Sequence, residues 1–196
     1  MQIDLDLLFS YGAIAKEYKK NEVIFDEDEI ANFYYQIIEG NIRMFNSNYD
    51  GKEFTQGYFS IGQCFGEPPL FIDEKYPATA VAFQDSKIIK LSKDKFLKIL
   101  DEYPSIQKQF MILMAKRIHS KAKTSKDIIN QKPEFRILAF LNAHKKGTDC
   151  KTKELVPFTR QEIANFTGLR VETVIRAFAK MKTCNKIDII NHKIYY

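Results

Sequence analysis

Residues that do covalent or metal chemistry are scarce in this chain of 196 residues, which has three cysteines and three histidines. Cys64, Cys150 and Cys184 are odd in number, far apart and outside any metal-ligand spacing, so they read as reduced thiols and no metal site is predicted. No nucleophile motif, metal-spaced His/Glu set or glycine-rich phosphate loop is present, so an enzyme is not expected. No stretch approaches the roughly 18 consecutive apolar residues of a membrane span. The N-terminus also lacks the basic start and apolar run of a secretory signal. These absences predict a soluble cytoplasmic protein with no membrane partner.

What is present is an uneven distribution of charge. The net +5 conceals 11 Lys and Arg against 18 Asp and Glu in residues 1–104, a net −7, and 19 against 7 in residues 105–196, a net +12. A basic C-terminal part suits a phosphate backbone, whose neutralisation releases counterions and supplies most non-specific affinity. The acidic front is not expected to touch DNA. The length allows one large or two small domains.

A short helix is predicted around Leu5 to Ala15. After it, the runs Val23 to Phe25, Phe33 to Ile38, Ile42 to Phe45, Phe54 to Phe59, Ala78 to Phe83 and Lys87 to Leu91 are rich in β-branched and aromatic residues. Turn signals at Glu39-Gly40, Asn48 to Gly51 and Gly62 separate several of them, which predicts an all-β sandwich or barrel over about residues 18–92. Ser92 to Leu100 is expected to be a short helix. Pro104 opens a longer one to about Asn130, since the donor that proline lacks is unpaired in a first turn anyway. Along it Ile106, Phe110, Leu113, Arg117 and Ala122 track one face, with Met111, Met114 and Ile118 alongside. So broad an apolar surface needs cover on more than one side, which favours pairing with a second copy over packing on its own β domain alone. Pro133 marks the break before the C-terminal domain.

Residues 159–176, TRQEIANFTGLRVETVIR, have helix-turn-helix spacing. Thr159 and Glu162 form a capping box that starts a helix, and Gly168 suits the tight turn because glycine takes positive φ without strain. Val174, Ala177, Phe178 and Met181 fall at i, i+3, i+4 and i+7, so one stripe of the second helix is expected to face a core. Arg170, Glu172, Arg176 and Lys180 form the opposite, charged stripe. Lys186 to Tyr196 reads as two short strands about Asn191 and His192, as a wing needs.

In register, Thr159, Arg160, Glu162, Ile163, Ala164, Gly168, Glu172, Thr173, Val174 and Arg176 match the pattern T-R-x-E-I-A/G-x-x-x-G-x-x-x-E-T-V-x-R. The chain thus resembles the Crp/Fnr family of bacterial transcription regulators. That resemblance implies an α+β fold: a β-roll of the cyclic-nucleotide-binding jelly-roll type over residues 1–103, a dimerisation helix over 104–131 and a winged helix-turn-helix over 132–196. It implies a homodimer that reads two half-sites about one DNA turn apart, with double-stranded DNA and RNA polymerase as partners. Arg176 is the first choice for a base contact, since arginine forks onto guanine. Glu172 can accept from a cytosine amino group, and its i, i+4 spacing lets it orient Arg176. Arg160 is expected on phosphate, while Gln161, Arg170, Thr173 and Lys180 complete the DNA face. Val171, Glu172 and Arg176 resemble the anaerobic-regulator branch, implying a TGA-like core with a thymine methyl against the valine. Ile175 replaces that branch's usual serine.

Members that bind cyclic AMP use the segment matching residues 62–82 as a phosphate cassette, F-G-E-x-x-L followed by R-S-A or R-T-A. Phe65, Gly66, Glu67 and Leu70 match its first half. Where the family places the arginine for the cyclic phosphate, this chain has Pro77, or Tyr76 if the loop slips by one, with Lys75 nearby at the loop tip. A partly buried phosphate needs a charge-assisted partner, commonly a bidentate arginine. The Thr-Ser pair that touches adenine aligns with Lys121-Ala122. An effector pocket around Gly66, Glu67, Pro77, Ala78, Thr79 and Lys121 is therefore expected not to take cyclic AMP. Gly66 and Glu67 read equally well as a glycine turn and a carboxylate accepting backbone donors. An iron-sulfur sensor needs a cysteine cluster that is absent from the sequence. Of His119, His144 and His192, His119 alone is expected near the pocket wall, and no cofactor is predicted. The alternatives are a cyclic-nucleotide-binding signalling module, or a haem- or redox-gated regulator of the same fold.

Overall fold

Apolar residues recur so closely in Phe33 to Ile38, Ile42 to Phe45 and Lys87 to Leu91 that strands there are expected to be buried on one face or on both. The computed structural model describes residues 3–129, 132–145 and 153–196. The chain forms two units, Met1–His119 and Ser120–Tyr196. The division falls inside the long helix.

The first unit opens with α1 (Leu5–Ser10), followed by β1 (Ile14–Tyr18), β2 (Val23–Phe25), β3 (Phe33–Glu39), β4 (Asn41–Ser47), β5 (Glu53–Ser60) and β6 (Cys64–Phe65). Then come a 3-10 helix (Pro68–Phe71), β7 (Thr79–Ala82), β8 (Ser86–Ser92), α2 (Lys93–Glu102) and α3 (Pro104–Ile129). Two antiparallel sheets, ordered β1-β8-β3-β6 and β2-β7-β4-β5, make a jelly-roll-like sandwich. The expected helix from Leu5 to Ala15 is cut short. Gly12 turns the backbone at φ +80, and Ile14 to Tyr18 leave as an edge strand whose Ile14 pairs with Lys90. The strand β6 was also unforeseen, because two residues show no period.

The strand β3 is buried on both faces, which explains its nearly continuous apolar sequence. Towards the opposite sheet, Tyr35 lies 5.5 Å from Phe25 and 5.4 Å from Phe65, centroid to centroid. On the other face Tyr34 stacks on Phe96 of α2 at 4.5 Å and meets Phe110 of α3 edge-on at 6.0 Å. Gln36 is buried between them and satisfied, with its amide bonded to Ile3 in both directions and accepting from the Tyr34 hydroxyl. Ile106, Phe110, Leu113 and Met114 carry α3 along this core. One turn on, Arg117 reaches the fully buried Glu67, donating to Oε1 of its carboxylate and, at 2.7 Å, to the Cys64 carbonyl. The flank of α3 next to these anchors carries uncovered apolar residues: Met111 is 67% and Ile118 71% exposed.

The second unit contains α4 (Pro133–His144), α5 (Arg160–Thr167), α6 (Val171–Thr183), β9 (Asp188–Ile190) and β10 (Lys193–Tyr195). Pro133, expected as a break, stands in the first turn of α4, where its missing donor costs nothing. Ile137, Phe140 and Leu141 pack with Ile163, Ala164, Val174, Ala177, Phe178, Met181, Ile187 and Ile194 into one core. Among the described residues no helix is long and apolar enough to cross a membrane.

Removing one partner of a buried ion pair strands the other charge, which typically costs about 3–5 kcal/mol. Arg117→Met should therefore destabilise the chain by roughly 3 kcal/mol, the lower end because Arg117 keeps some contact with solvent. Combining it with Glu67→Gln should recover much of that loss. Urea unfolding of the single and double variants measures both.

Candidate nucleic-acid interface

The reading unit is built from local signals. Thr159 Oγ1 accepts from the Glu162 amide at 3.2 Å, while the Glu162 carboxylate accepts from the Thr159 amide at 2.6 Å, closing the capping box that starts α5. Gly168 ends α5 at φ +67, a conformation that disfavours any residue with a Cβ. Arg170 then caps α6 with extended backbone, so its side chain leaves from the helix mouth rather than from the charged stripe. Val174, Ala177, Phe178 and Met181 are all buried, which turns the rest of α6 outward.

On that outward side Glu172, Ile175, Arg176 and Lys180 are exposed, with Val171 and Thr173 half-buried. Thr173, Arg176, Ala177 and Lys180 line a hollow of about 270 Å³ together with Pro133 and Glu134 of α4. Lys180 Nζ lies 2.7 Å from Glu134 Oε1. This hydrogen bond raises the pKa of the ammonium and lowers that of the carboxyl. Sequence reasoning missed Glu134, because its partner stands far along the chain.

The wing turns at Asn191 and His192, with φ +48 and +62, between the paired residues Ile190 and Lys193. Two successive positive φ values make the type I′ hairpin turn. Arg160 donates to the His192 carbonyl at 3.2 Å, tying the tip of the wing to the start of α5. Gln161 is exposed and spends its amide on Asn165 at 2.9 Å. The unit thus brings Glu172, Thr173, Arg176 and Lys180 onto one face of α6, Arg170 and Val171 to its mouth, and Arg160 and Gln161 to the start of α5.

In the first unit the cassette residues are held by the protein itself. Gly66 stands at φ +71, and a Cβ there would come 2.9 Å from the Phe25 ring. Glu67 does not accept from backbone donors as the alternative reading expected. Its partners are side chains, Arg117 and the Cys64 thiol at 3.3 Å, and its Oε2 is buried without a hydrogen bond. Tyr76 lies flat on Phe25 at 3.8 Å and its hydroxyl donates to the Phe33 carbonyl. Pro77 is exposed with its carbonyl accepting from Asn46, Ala78 is buried, and Thr79 Oγ1 accepts from the Glu27 amide. Lys75 is exposed. Lys121 belongs to the other unit and is exposed, as is His119 on α3. Burial, then the charge of Glu67, pushes the Cys64 thiol up to about 12, so almost no thiolate forms at neutral pH. Among the described residues no group of three or more His, Cys, Asp or Glu side chains could hold a metal ion.

Comparison with known proteins follows the same division. Residues 15–103 match the cyclic nucleotide-binding domain and residues 135–195 the Crp-like helix-turn-helix domain. The transcriptional activatory protein AadR of Rhodopseudomonas palustris is 30% identical over 183 residues, covering 88% of this chain and 73% of that protein. The cyclic AMP receptor protein of Thermus thermophilus is 25% identical over 175 residues, 88% of this chain and 78% of that one. Among solved structures, the c-di-GMP-responsive regulator CLP of Xanthomonas campestris superposes with a TM-score of 0.84 at 18% identity, covering 98% of both chains. FixK2 of Bradyrhizobium japonicum gives 0.76 at 21%, covering 93% of this chain and 91% of that one. Because the likeness runs through both halves of the chain and not through the reading helix alone, the chain belongs to the Crp/Fnr family of transcription regulators.

Proposed function

We propose that two copies of this chain, joined along α3, read a two-half-site operator through α6, and that cyclic AMP does not gate them. The chain is a DNA-binding regulator rather than an enzyme, as its relatives are. The observation that carries the finer reading is the split of α6 into a buried apolar stripe and an exposed face of Glu172, Thr173, Arg176 and Lys180. In this reading Arg176 contacts guanine with Glu172 orienting it, Val171 meets a thymine methyl, and Arg170, Thr173 and Lys180 flank them. Arg160, held against the wing, and Gln161 meet the backbone. Residues 1–103 serve as the sensor, 104–131 as the dimer helix and 132–196 as the reader, in a cytoplasmic protein.

The case against cyclic AMP rests on charge. A cyclic phosphate needs a cation, and at the matching positions this chain offers a stacked tyrosine and an exposed proline. Arg117, the cation at Glu67, is already engaged there. A thiol switch at Cys64 is disfavoured by its raised pKa. The dimer reading rests on Met111 and Ile118, which lie two turns apart on the uncovered side of α3.

Four measurements test these parts separately. Selection from random duplexes should yield a twofold-symmetric motif. Arg176→Ala should cost about 1–3 kcal/mol and relax one guanine position per half-site; uniform weakening on all sequences would remove the base contact. Titration calorimetry with cyclic AMP should give no binding in the low-micromolar range, and a saturable signal there would refute this part. Met111→Glu with Ile118→Glu should yield folded monomers in sedimentation, with operator binding weakened. A dimer that persisted unchanged would place the interface elsewhere.

A further inference from the structure

The hollow beside α6 contains a group that base reading does not use. Thr173, Arg176 and Lys180 all offer donors to an anion, but Glu134, which shares the hollow, is itself an anion. Its carboxylate lies 2.7 Å from Lys180 Nζ, within the range of a charge-assisted hydrogen bond. Glu134 is also the sheltered partner, with 22% of its side chain exposed against 71% for Lys180. The carboxylate is therefore the sheltered member of the pair, on α4, and the ammonium the exposed one. A phosphate approaching Lys180 must displace a like charge fixed to the protein.

We propose that Glu134 is an internal competitor for the DNA backbone, occupying Lys180 and lowering affinity for every duplex whatever its sequence. The inference rests on the reading that this face of α6 meets DNA. Counterion release is driven by cations that neutralise phosphates, each adding about 0.9 to the slope of log affinity against log salt. A lysine already neutralised within the protein adds almost nothing, and freeing it restores one such contact per half-site. Between about 50 and 200 mM salt one contact is worth roughly threefold, hence roughly tenfold for two half-sites. Phosphate contacts carry no sequence information, so the effect is the same on random DNA and on an operator. That separates Glu134 from Arg176, whose loss acts at one base position.

The test uses the full chain and its Glu134→Gln, Lys180→Met and double variants, each checked for folding by circular dichroism and thermal unfolding. Each is titrated with random-sequence duplexes across a salt series by fluorescence anisotropy. The gain of Glu134→Gln over wild type should be roughly tenfold larger at about 50 mM than at about 200 mM salt, from a slope steeper by about 0.9 per half-site. Lys180→Met should weaken wild-type binding by uncovering the Glu134 carboxylate, but should flatten the slope by about 0.9 per half-site only in the Glu134→Gln background, a coupling that a double-mutant cycle isolates. Equal flattening by Lys180→Met in both backgrounds would overturn the proposal, since Lys180 would then reach phosphate despite Glu134. Wild-type binding that Glu134→Gln leaves unchanged or weakens would overturn this inference alone. A folded wild-type chain with no salt-dependent DNA binding would overturn the DNA-reading assignment, and this inference with it.

Discussion

A carboxylate without solvent contact requires a cation, and Glu67 takes Arg117 of α3 for that purpose. This pair fixes more than its own energy. Phe110, Leu113 or Met114, and Arg117 stand at i, i+3 or i+4, and i+7, so anchoring Phe110 under Tyr34 and Arg117 on Glu67 sets the rotation of the helix about its axis. Met111 and Ile118 each follow one of these anchors by a single residue, about 100° further round. They face outward because their neighbours are committed inward. The apolar side of α3 that a second copy would cover is thus a consequence of where one buried carboxylate finds its charge.

The same pair bears on how the β domain has diverged. The cassette keeps Phe65, Gly66 and Glu67, yet each has a partner within the chain: Phe65 stacks with Tyr35, Gly66 gives way to Phe25, and Glu67 holds Arg117. Tyr76 closes the aromatic stack on Phe25. Packing and ion pairing within the chain thus engage all three cassette residues.

Legibility in the sequence followed the range of the interaction. The capping box at Thr159, the turn at Gly168, the buried stripe of α6 and the two-residue wing turn depend on neighbours within a few residues, and all four could be read in advance. Most strands were placed within a residue or two, because burial of β3 and β8 imposes its pattern directly. The edge strand β1 was not foreseen and its first two residues, Ile14 and Ala15, were read as helix, since Ile14 to Tyr18 lack a core-facing alternation and only pairing with β8 declares them. Glu67 with Arg117, and Glu134 with Lys180, join positions 50 and 46 residues apart. Nothing in the sequence near one member announces the other. The functional residues found only in the structure are therefore those whose roles are set by a distant partner.

Charge shows the same limit. The net +12 of residues 105–196 pointed to a phosphate backbone, but a sum over residues is not a count of phosphate contacts. Lys180 is met by Glu134 and Lys153 by Asp188, while Arg160 is directed at a carbonyl of the wing and keeps its full charge. In general, affinity depends on the cations left available after such internal pairings, and specificity on the groups that reach base edges. At the junction of α4 and α6 the two meet in the proposed reading, since Lys180 is held by the Glu134 carboxylate and Arg176 stands beside it, one turn nearer the mouth of the helix.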